Sequence, residues 1–376
     1  MAKVHITLVG GQPEPVYKGI MHNRPDKVLF IYSSSTEKVV SRIKEVVKKN
    51  ITSVPEFHSE QFADKKVQKI RSKLKRLFED SSEYVAKDDE VTVNLTGGTK
   101  EWSILFFDYF KNRENVSLQL TDQNDNLTNL ANYETIKINV SIRTNDKFAL
   151  QGMKIKSSSA LEDYTDTDFA AIPVIHEMRE YNFEHFRKLT EQLSERIDKN
   201  SAKYDGSSIE YNKNSDKRKR NIICKLTGNR GPKSWTITSP NVRKLVTSTG
   251  WFEVEVARLL HKLYPQALML LNCKLKFIAD NTKEEKNETD IVMQINNKLV
   301  IVECKTQVFN ISDVNKFNDV AKITGNATKP IFFTLEEMNE KAKENCNERG
   351  IPYFTTSDNE DEIVKRINEY LLSNNA

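Results

Sequence analysis

The chain has 376 residues, 38% of them hydrophobic and 29% charged, with a net charge of +4, which is an ordinary globular composition and length enough for two or more domains with cores of their own. No apolar run approaches the ~20 residues of a membrane span, and MAKVHITLVGG enters a strand pattern directly, without a signal-peptide design; a cytoplasmic protein that does not engage membranes is expected. Cys224, Cys273, Cys304 and Cys346 lack metal-ligand spacing and are expected as reduced structural thiols.

The first 145 residues alternate two patterns. Val4–Val9, Lys27–Tyr32, Ser53–Phe57, Val91–Leu95 and Ser117–Leu120 read as short buried strands, with helical periodicity over Thr36–Lys49, Gln61–Phe78 and Lys100–Lys111. Such alternation predicts a doubly wound, mostly parallel sheet of Rossmann-like type. Polar turns follow three of the strands: Gly10-Gly11-Gln12-Pro13, Ser33-Ser34-Ser35-Thr36 and Thr96-Gly97-Gly98-Thr99-Lys100. In an open α/β sheet the ligand crevice lies outside the carboxyl ends of the strands, and glycine-freed amides beside a helix amino terminus make a phosphate cradle. Neither GxGxxG nor GxxxxGK[ST] is present, so the ligand is expected to be neither NAD nor an NTP in its usual loop. On this geometry Ser33, Ser34 and Ser35 join the candidate ligand contacts.

Asn132–Val140 and Asp146–Ile155 alternate as strands of an appended hairpin, and Ser157-Ser158-Ser159 opens a polar connector. An amphipathic helix is expected over His176–Ile197, with Phe186, Leu189, Leu193 and Ile197 on one stripe; His176 and His185 are read as packed or solvated. Between Ser201 and Leu245 eleven Lys and Arg face three acids. With Tyr204, Tyr211 and Trp235 interspersed, this segment has the charge and rings that single-stranded nucleic acid binding uses, although a solvated face explains the charge equally well.

Gly250-Trp251-Phe252-Glu253 opens a helix in which Glu253, Val256, Ala257 and Leu260 share one face and Glu255, Arg258 and Lys262 the other, placing the Glu253 carboxylate on the buried stripe. Next, NETDIVMQINNKLVIVECKT holds two apolar runs, Asp290–Ile295 and Lys298–Cys304, around Asn296-Asn297. Asn tolerates the left-handed conformation of a two-residue hairpin turn. If those two residues are the whole loop, Asp290 lies opposite Glu303 with β-carbons about 4.5–5.5 Å apart, and Lys305 follows on the Glu303 face. Two carboxylates and an ammonium gathered on a buried hairpin are costly without compensation. A hard divalent cation supplies it: Asp290 and Glu303 suit Mg²⁺ or Mn²⁺, which activates water and polarises phosphoryl oxygens, while Lys305 steadies developing charge. The chemistry indicated is phosphodiester hydrolysis. Beyond the hairpin, helices over Asp313–Ala321, Leu335–Arg349 and Glu360–Leu372 alternate with strands at Pro330–Thr334 and Pro352–Thr355; Lys316 and Lys322 read as solvated.

Asp290 followed by Glu303-Cys304-Lys305 resembles the D…ExK signature of the PD-(D/E)xK nuclease superfamily, whose acidic residue on the preceding helix would correspond to Glu253. LVGGQP and NLTGGTK resemble the two ligand motifs of CARF domains, the Rossmann-like sensors of type III CRISPR immunity. In this order the two motif sets resemble the Can2/Card1 family of effector nucleases, from about Val4 to the carboxy terminus. The pattern departs in two respects: Thr289 stands where the acidic motif usually has proline, and Lys305 is followed by Thr306 and Gln307. Gln307, two residues past Lys305, has no role that the sequence assigns.

The resemblance implies a homodimer whose paired sensors bind a cyclic oligoadenylate, cyclic tetra-adenylate in preference to the hexa-adenylate, with Gly10, Gly11, Gln12, Thr96, Gly97, Gly98, Thr99 and Lys100 facing it. The expected organisation is a CARF domain over 1–150, a connector with helical and basic segments over 151–238, and a restriction-endonuclease-like α/β domain over 239–376. The expected activity is signal-activated, metal-dependent cleavage of single-stranded RNA or DNA, or nicking of supercoiled DNA, with Glu253, Asp290, Glu303 and Lys305 catalytic. Two alternatives are a signal-gated nucleic-acid-binding regulator with an inert nuclease-like domain, and a restriction or repair nuclease needing no nucleotide signal.

Overall fold

The computed structural model describes residues 1–63, 66–79, 84–195, 198–247, 249–278, 287–306, 311–325 and 327–373. Two compact units result, one built mainly from Met1–Ile155 and the other from most of the remainder. No described helix is long and apolar enough to cross a membrane.

The first unit runs β1 (Lys3–Leu8), α1 (Pro13–Asn23), β2 (Lys27–Tyr32), α2 (Glu37–Asn50), β3 (Glu56–Gln61), α3 (Val67–Phe78), β4 (Glu90–Asn94), α4 (Lys100–Phe110), β5 (Val116–Thr121), β6 (Asn126–Asn129), β7 (Thr135–Lys137) and α5 (Thr144–Leu150). Its sheet has the order β3-β2-β1-β4-β5-β6-β7. The first five strands are parallel and the last two antiparallel. The order reverses between β1 and β4, and there the chain leaves β1 and β4 for helices on opposite faces. Ile6, Leu8 and Val93 pack under Leu74 of α3 and Phe106 of α4, whereas Val28 and Phe30 pack under Ile20 of α1 and Ile43 of α2. Each such side chain contributes about 1.5–3 kcal/mol on leaving water.

Beneath α1 the sheet is polar: His5, Thr7, Asn94 and Gln119 are all buried. Gly19 lets the helix approach, because a Cβ there would lie 2.6 Å from Asn94 Nδ2. Two sequence expectations fail nearby. Pro13, placed at the end of a turn with no element expected after it, instead opens the helix Pro13–Asn23, whose prolines stand in the first turn, where a missing N–H leaves no bond unmade. Asp146–Ile155, read as a strand, begins inside α5; the antiparallel extension of the sheet is β6–β7 instead.

The chain passes into the second unit along β8 (Met153–Ser159), followed by α6 (Asp166–Tyr181), α7 (Phe183–Ser194), β9 (Ser201–Tyr204), β10 (Ser207–Asn212), β11 (Asn221–Gly228), β12 (Gly231–Thr238), α8 (Val242–Thr247) and α9 (Gly250–Leu263). There follow β13 (Leu268–Phe277), β14 (Asn287–Ile295), β15 (Lys298–Lys305), α10 (Ile311–Thr324), β16 (Lys329–Thr334), α11 (Glu340–Glu348), β17 (Tyr353–Thr355) and α12 (Glu360–Leu372). β9 to β12 form a four-stranded antiparallel meander, and a mixed six-stranded sheet has the order β17-β16-β15-β14-β13-β8. One continuous core joins the inner faces of both sheets to α6, α7, α8 and α9. The segment 151–238 is therefore no free-standing linker: from Lys156 onward it shares that unit and its core with the strands around residue 300. The single helix expected over His176–Ile197 is two, α6 and α7, broken at Asn182, whose side chain accepts from the His185 N–H and caps the second. Phe186, Leu189 and Leu193 form the buried stripe as expected; Ile197 and Gln307 lie outside the described residues.

Candidate functional site

β14 and β15 meet in a two-residue turn. Asn296 and Asn297 both have positive φ, 45° and 65°, as a type I′ turn requires. The ladder pairs Ile295 with Lys298 and continues to Ile291 with Val302, so the same register carried one step further sets Asp290 opposite Glu303.

Around Asp290 the sheet opens on both sides. Towards β15, the paired register ends at Ile291 with Val302, and the Cys304 N–H donates to Asp290 Oδ2 at 2.7 Å. Towards β13, Leu271 pairs with Ile291 and Cys273 with Thr289, but Asn272, between them, is out of the ladder. Asn272 has φ 51° and a buried Nδ2 atom without a partner. Positive φ at a non-glycine residue inside a strand is sparsely populated and costs energy.

Glu303 and Lys305 stand two apart on β15, with Lys305 Nζ 2.6 Å from Glu303 Oε1. Glu253 is delivered by α9, whose Val256, Ala257 and Leu260 are buried on the stripe the sequence indicates. Its Oε2 atom is buried and has no hydrogen-bond partner.

These groups feel one another. Burial, with the charges of Glu288 and Glu303, raises the Glu253 carboxyl to about 7 against the pull of Lys244 and Lys305. Burial raises Asp290 well above the usual carboxylate range, reinforced by Glu303 and Glu253. Burial alone would lower Lys305; its contact with Glu303 and the field of Asp290 hold it above the ordinary lysine value instead. Burial, and then the charges of Asp290, Glu253 and Glu303, keep the Cys304 thiol far from ionising, which removes it as a ligand or nucleophile.

Two buried carboxyls raised beside the Glu303 charge, Glu253 with an orphaned oxygen and Asp290, make a site that a hard cation would relieve. Asp290 and Glu303 are the donors the arrangement offers. Among the described residues, however, no cluster of three or more His, Cys, Asp or Glu side chains is poised to hold a metal ion.

Sequence reasoning missed three members of this neighbourhood. Glu288 was legible as the residue two before Asp290 on the same strand. Asn272 and Lys244 come from other elements and carry no local signal. His176 and His185 are structural: the former lies 3.1 Å from Glu255 and against Trp251, and the latter bonds Ser207 Oγ at 2.8 Å.

In the first unit, the three polar turns follow β1, β2 and β4, which are neighbours in the sheet, so Gly10–Gln12, Ser33–Ser35 and Thr96–Lys100 share one edge. The first and third turns touch. A Cβ on Gly10 would lie 3.1 Å from Gly98 N, and one on Gly97 only 2.0 Å from Leu8 O, so no side chain fits at Gly97. Gly98 has φ +76°. Thr99 caps α4 by accepting from the Trp102 N–H at 3.3 Å, and Lys100 is exposed at the helix start. Thr96 Oγ1 donates to Asn94 Oδ1 at 2.6 Å and accepts from the Thr121 N–H. The three serines are differently occupied, Ser33 bonding Ser35 Oγ at 2.8 Å in the short turn before α2.

Residues 4–147 match the family model of the Card1 CARF domain. The amino-terminal unit is a CARF domain of the Card1 type. The architecture extends beyond it. Over 99% of this chain and 100% of the other, the fold matches Can2 from Sulfobacillus thermosulfidooxidans, solved with cyclic tetra-adenylate, with TM-score 0.72 and 16% identity. VC1899 from Vibrio cholerae matches over 98% of both chains, with TM-score 0.73 and 14% identity. A type III CRISPR defence DNA nuclease activated by cyclic oligoadenylate matches 88% of this chain and 45% of its own, with TM-score 0.53 and 14% identity. At these identities the shared property is the fold. A search of curated proteins finds no match.

The aromatic part of the basic segment is not a stacking surface. Tyr211 and Trp235 are each 7% exposed; the Trp235 Nε1–H donates to Glu177 at 3.0 Å and Tyr204 packs edge-on against His185. The alternation of β10 to β12 turns the large residues inward, which the surrounding charges conceal in the sequence.

Proposed function

We propose that this protein is a cyclic-oligoadenylate-activated, metal-dependent nuclease working as a homodimer in type III CRISPR defence. The observation that carries the reading is the meeting of Glu253, Asp290, Glu303 and Lys305 at an opened strand pair, in a chain whose other unit is a CARF domain.

The ligand edge of the CARF domain offers backbone amides at Gly10, Gly11, Gly97 and Gly98, the amino termini of α1 and α4, and the Lys100 ammonium. These are donors for phosphates, and a two-fold dimer would present them twice to a ring that has rotational symmetry. Cyclic tetra-adenylate, bound by the Can2 of similar fold, is the preferred ligand. Binding shifts the nuclease units between arrangements only in so far as the ligand prefers one of them.

Asp290 and Glu303 would hold Mg²⁺ or Mn²⁺, which supplies Lewis-acid stabilisation of the phosphoryl group and activates water. Lys305, fixed by Glu303, places a positive charge beside the charge that develops on the phosphate. Glu253 sets the local potential that makes proton or cation uptake favourable, and the Cys304 N–H fixes one oxygen of Asp290.

Glu303→Ala should abolish cleavage of RNA and DNA in the presence of Mn²⁺ and cyclic tetra-adenylate while leaving oligoadenylate binding intact. Full-rate cleavage by that variant would eliminate the assignment. A second reading is a signal-gated nucleic-acid-binding regulator with an inert domain; it predicts chelator-insensitive retention of nucleic acid without strand breaks.

A further inference from the structure

The basic segment is half core and half surface. β10, β11 and β12 direct Tyr211, Cys224, Leu226 and Trp235 inward. On the outward side the register aligns Lys203, Ser208, Lys225 and Ser234 in one row across all four strands. Lys203 and Lys225, two strands apart, are thus separated by about 10 Å of backbone. The adjoining row, Ser201, Glu210, Ile223 and Thr236, holds one acid and one large apolar residue.

At one end of this face the β10–β11 connection, residues 213–220, carries five cations and one acid. That acid is engaged: Asp216 Oδ1 accepts from Arg218 Nε at 3.2 Å and from the Arg218 backbone N–H at 3.1 Å. Arg220 is turned back to its own loop, donating to Asn214 O at 3.0 Å. Lys213, Lys217 and Lys219 are exposed, and none of them forms an ion pair with a described residue. A surface built only for solubility intersperses both signs; this one concentrates a single sign in a loop.

We propose that the 213–220 loop and the Lys203–Lys225 row form an exosite for the sugar–phosphate backbone of the nucleic acid that the protein cuts. The proposal rests on the nuclease reading above and says how substrate is gripped away from the hairpin. The outward face looks away from the core that the meander shares with β14 and β15, so a strand must be long to occupy both places. Ammonium groups contact phosphates and release counterions. With the rings of Tyr211 and Trp235 buried, the exosite has no platform for bases and distinguishes strands by length and charge rather than by sequence.

The test uses full-length protein carrying Lys213→Ala, Lys217→Ala and Lys219→Ala together, in a Glu303→Ala background for binding and an otherwise unaltered one for cleavage. Each phosphate contact to a single strand contributes about 0.7 to the slope of log K against log salt, so the slope should fall by about 2. An abasic strand of equal length should bind as the base-bearing one does. In cleavage, KM should rise for long strands with kcat unchanged, while substrates of a few nucleotides are unaffected. An unchanged slope, an equal loss on short substrates, or an affinity for anionic vesicles above that for nucleic acid would overturn the proposal. If the unaltered protein cuts nothing, the nuclease reading fails, and the salt slope still decides whether the surface binds nucleic acid.

Discussion

The carboxylate crowding around Asp290 makes a prediction that needs no substrate. Glu253 is 8% exposed and its carboxyl is raised to about 7 from an ordinary value of 4.5. A raised carboxyl means that the folded protein keeps a proton which the unfolded chain has released, so stability is full at low pH and declines as pH rises. The decline begins near 4.5 and is complete above about 7. At ~1.36 kcal/mol per pKa unit, the loss through this one group is about 3 kcal/mol. Asp290, raised by the same neighbours, adds to it. Glu253→Gln removes the titrating charge while keeping the shape. In EDTA-treated protein the variant should match the parent near pH 5 and exceed it at pH 8. For a unit of this size 3 kcal/mol corresponds to roughly 6–12 °C in the melting transition of the second unit. Loss of the attraction to Lys244 and Lys305 works the other way and trims the gain. Saturating Mn²⁺ should close the gap from the other side, because a cation at a hundredfold its Kd stabilises by about 2.7 kcal/mol. Parallel pH profiles for parent and variant between pH 5 and 8 would refute the premise that these carboxylates are forced together.

Three further expectations concern single residues. His5 is wholly buried, with its imidazole lowered to about 3 by burial; the unfolded chain takes a proton near 6.5 that the folded one refuses, so the first unit should lose about 2 kcal/mol between pH 7 and pH 5. His5→Gln should flatten that limb in calorimetric scans. Gly97→Ala places a Cβ 2.0 Å from Leu8 O, which the edge can accommodate only by parting the first and third turns; oligoadenylate affinity measured by calorimetry should fall at least tenfold, and unchanged affinity would mean the turns do not cradle the ligand together. Asn272→Gly relieves the positive φ of 51°, so stability should rise by about 0.5–1 kcal/mol; if the side-chain amide serves the site, cleavage drops at the same time, and a gain in both would assign Asn272 a purely structural accident.

The parts of this molecule that were legible in the sequence are those where one local rule decides. Asn296-Asn297 between two apolar runs dictates a turn with both φ positive, and once the turn length is known the register that sets Asp290 against Glu303 follows by counting. The α9 stripe is similar: a 3.6-residue period shows that Glu253 shares its face with Val256, Ala257 and Leu260, and that face is buried. The glycine turns became legible as a pair because both follow a strand in a parallel sheet, although only the structure shows that Gly97 has no room for a side chain.

What was missed failed for physical reasons that differ. No helix was expected after the Gly10–Pro13 turn, but within the first turn of α1 the missing N–H groups of Pro13 and Pro15 had no helical partner to lose. The meander was hidden by its own surface. In Asn221–Gly228, Ile222, Cys224 and Leu226 alternate with Ile223, Lys225 and Thr227, a period of two that the abundance of charge on the outer side makes easy to read as a polar segment. That error had a functional consequence: treating Tyr211 and Trp235 as exposed rings assigns base stacking to residues that hold the core together. Moving them inward leaves cations without aromatics, and a surface of that kind reads the phosphate backbone while ignoring the bases. On the proposed reading, a preference for one nucleic acid over another would originate around Glu253, Asp290, Glu303 and Lys305 and not in the basic segment.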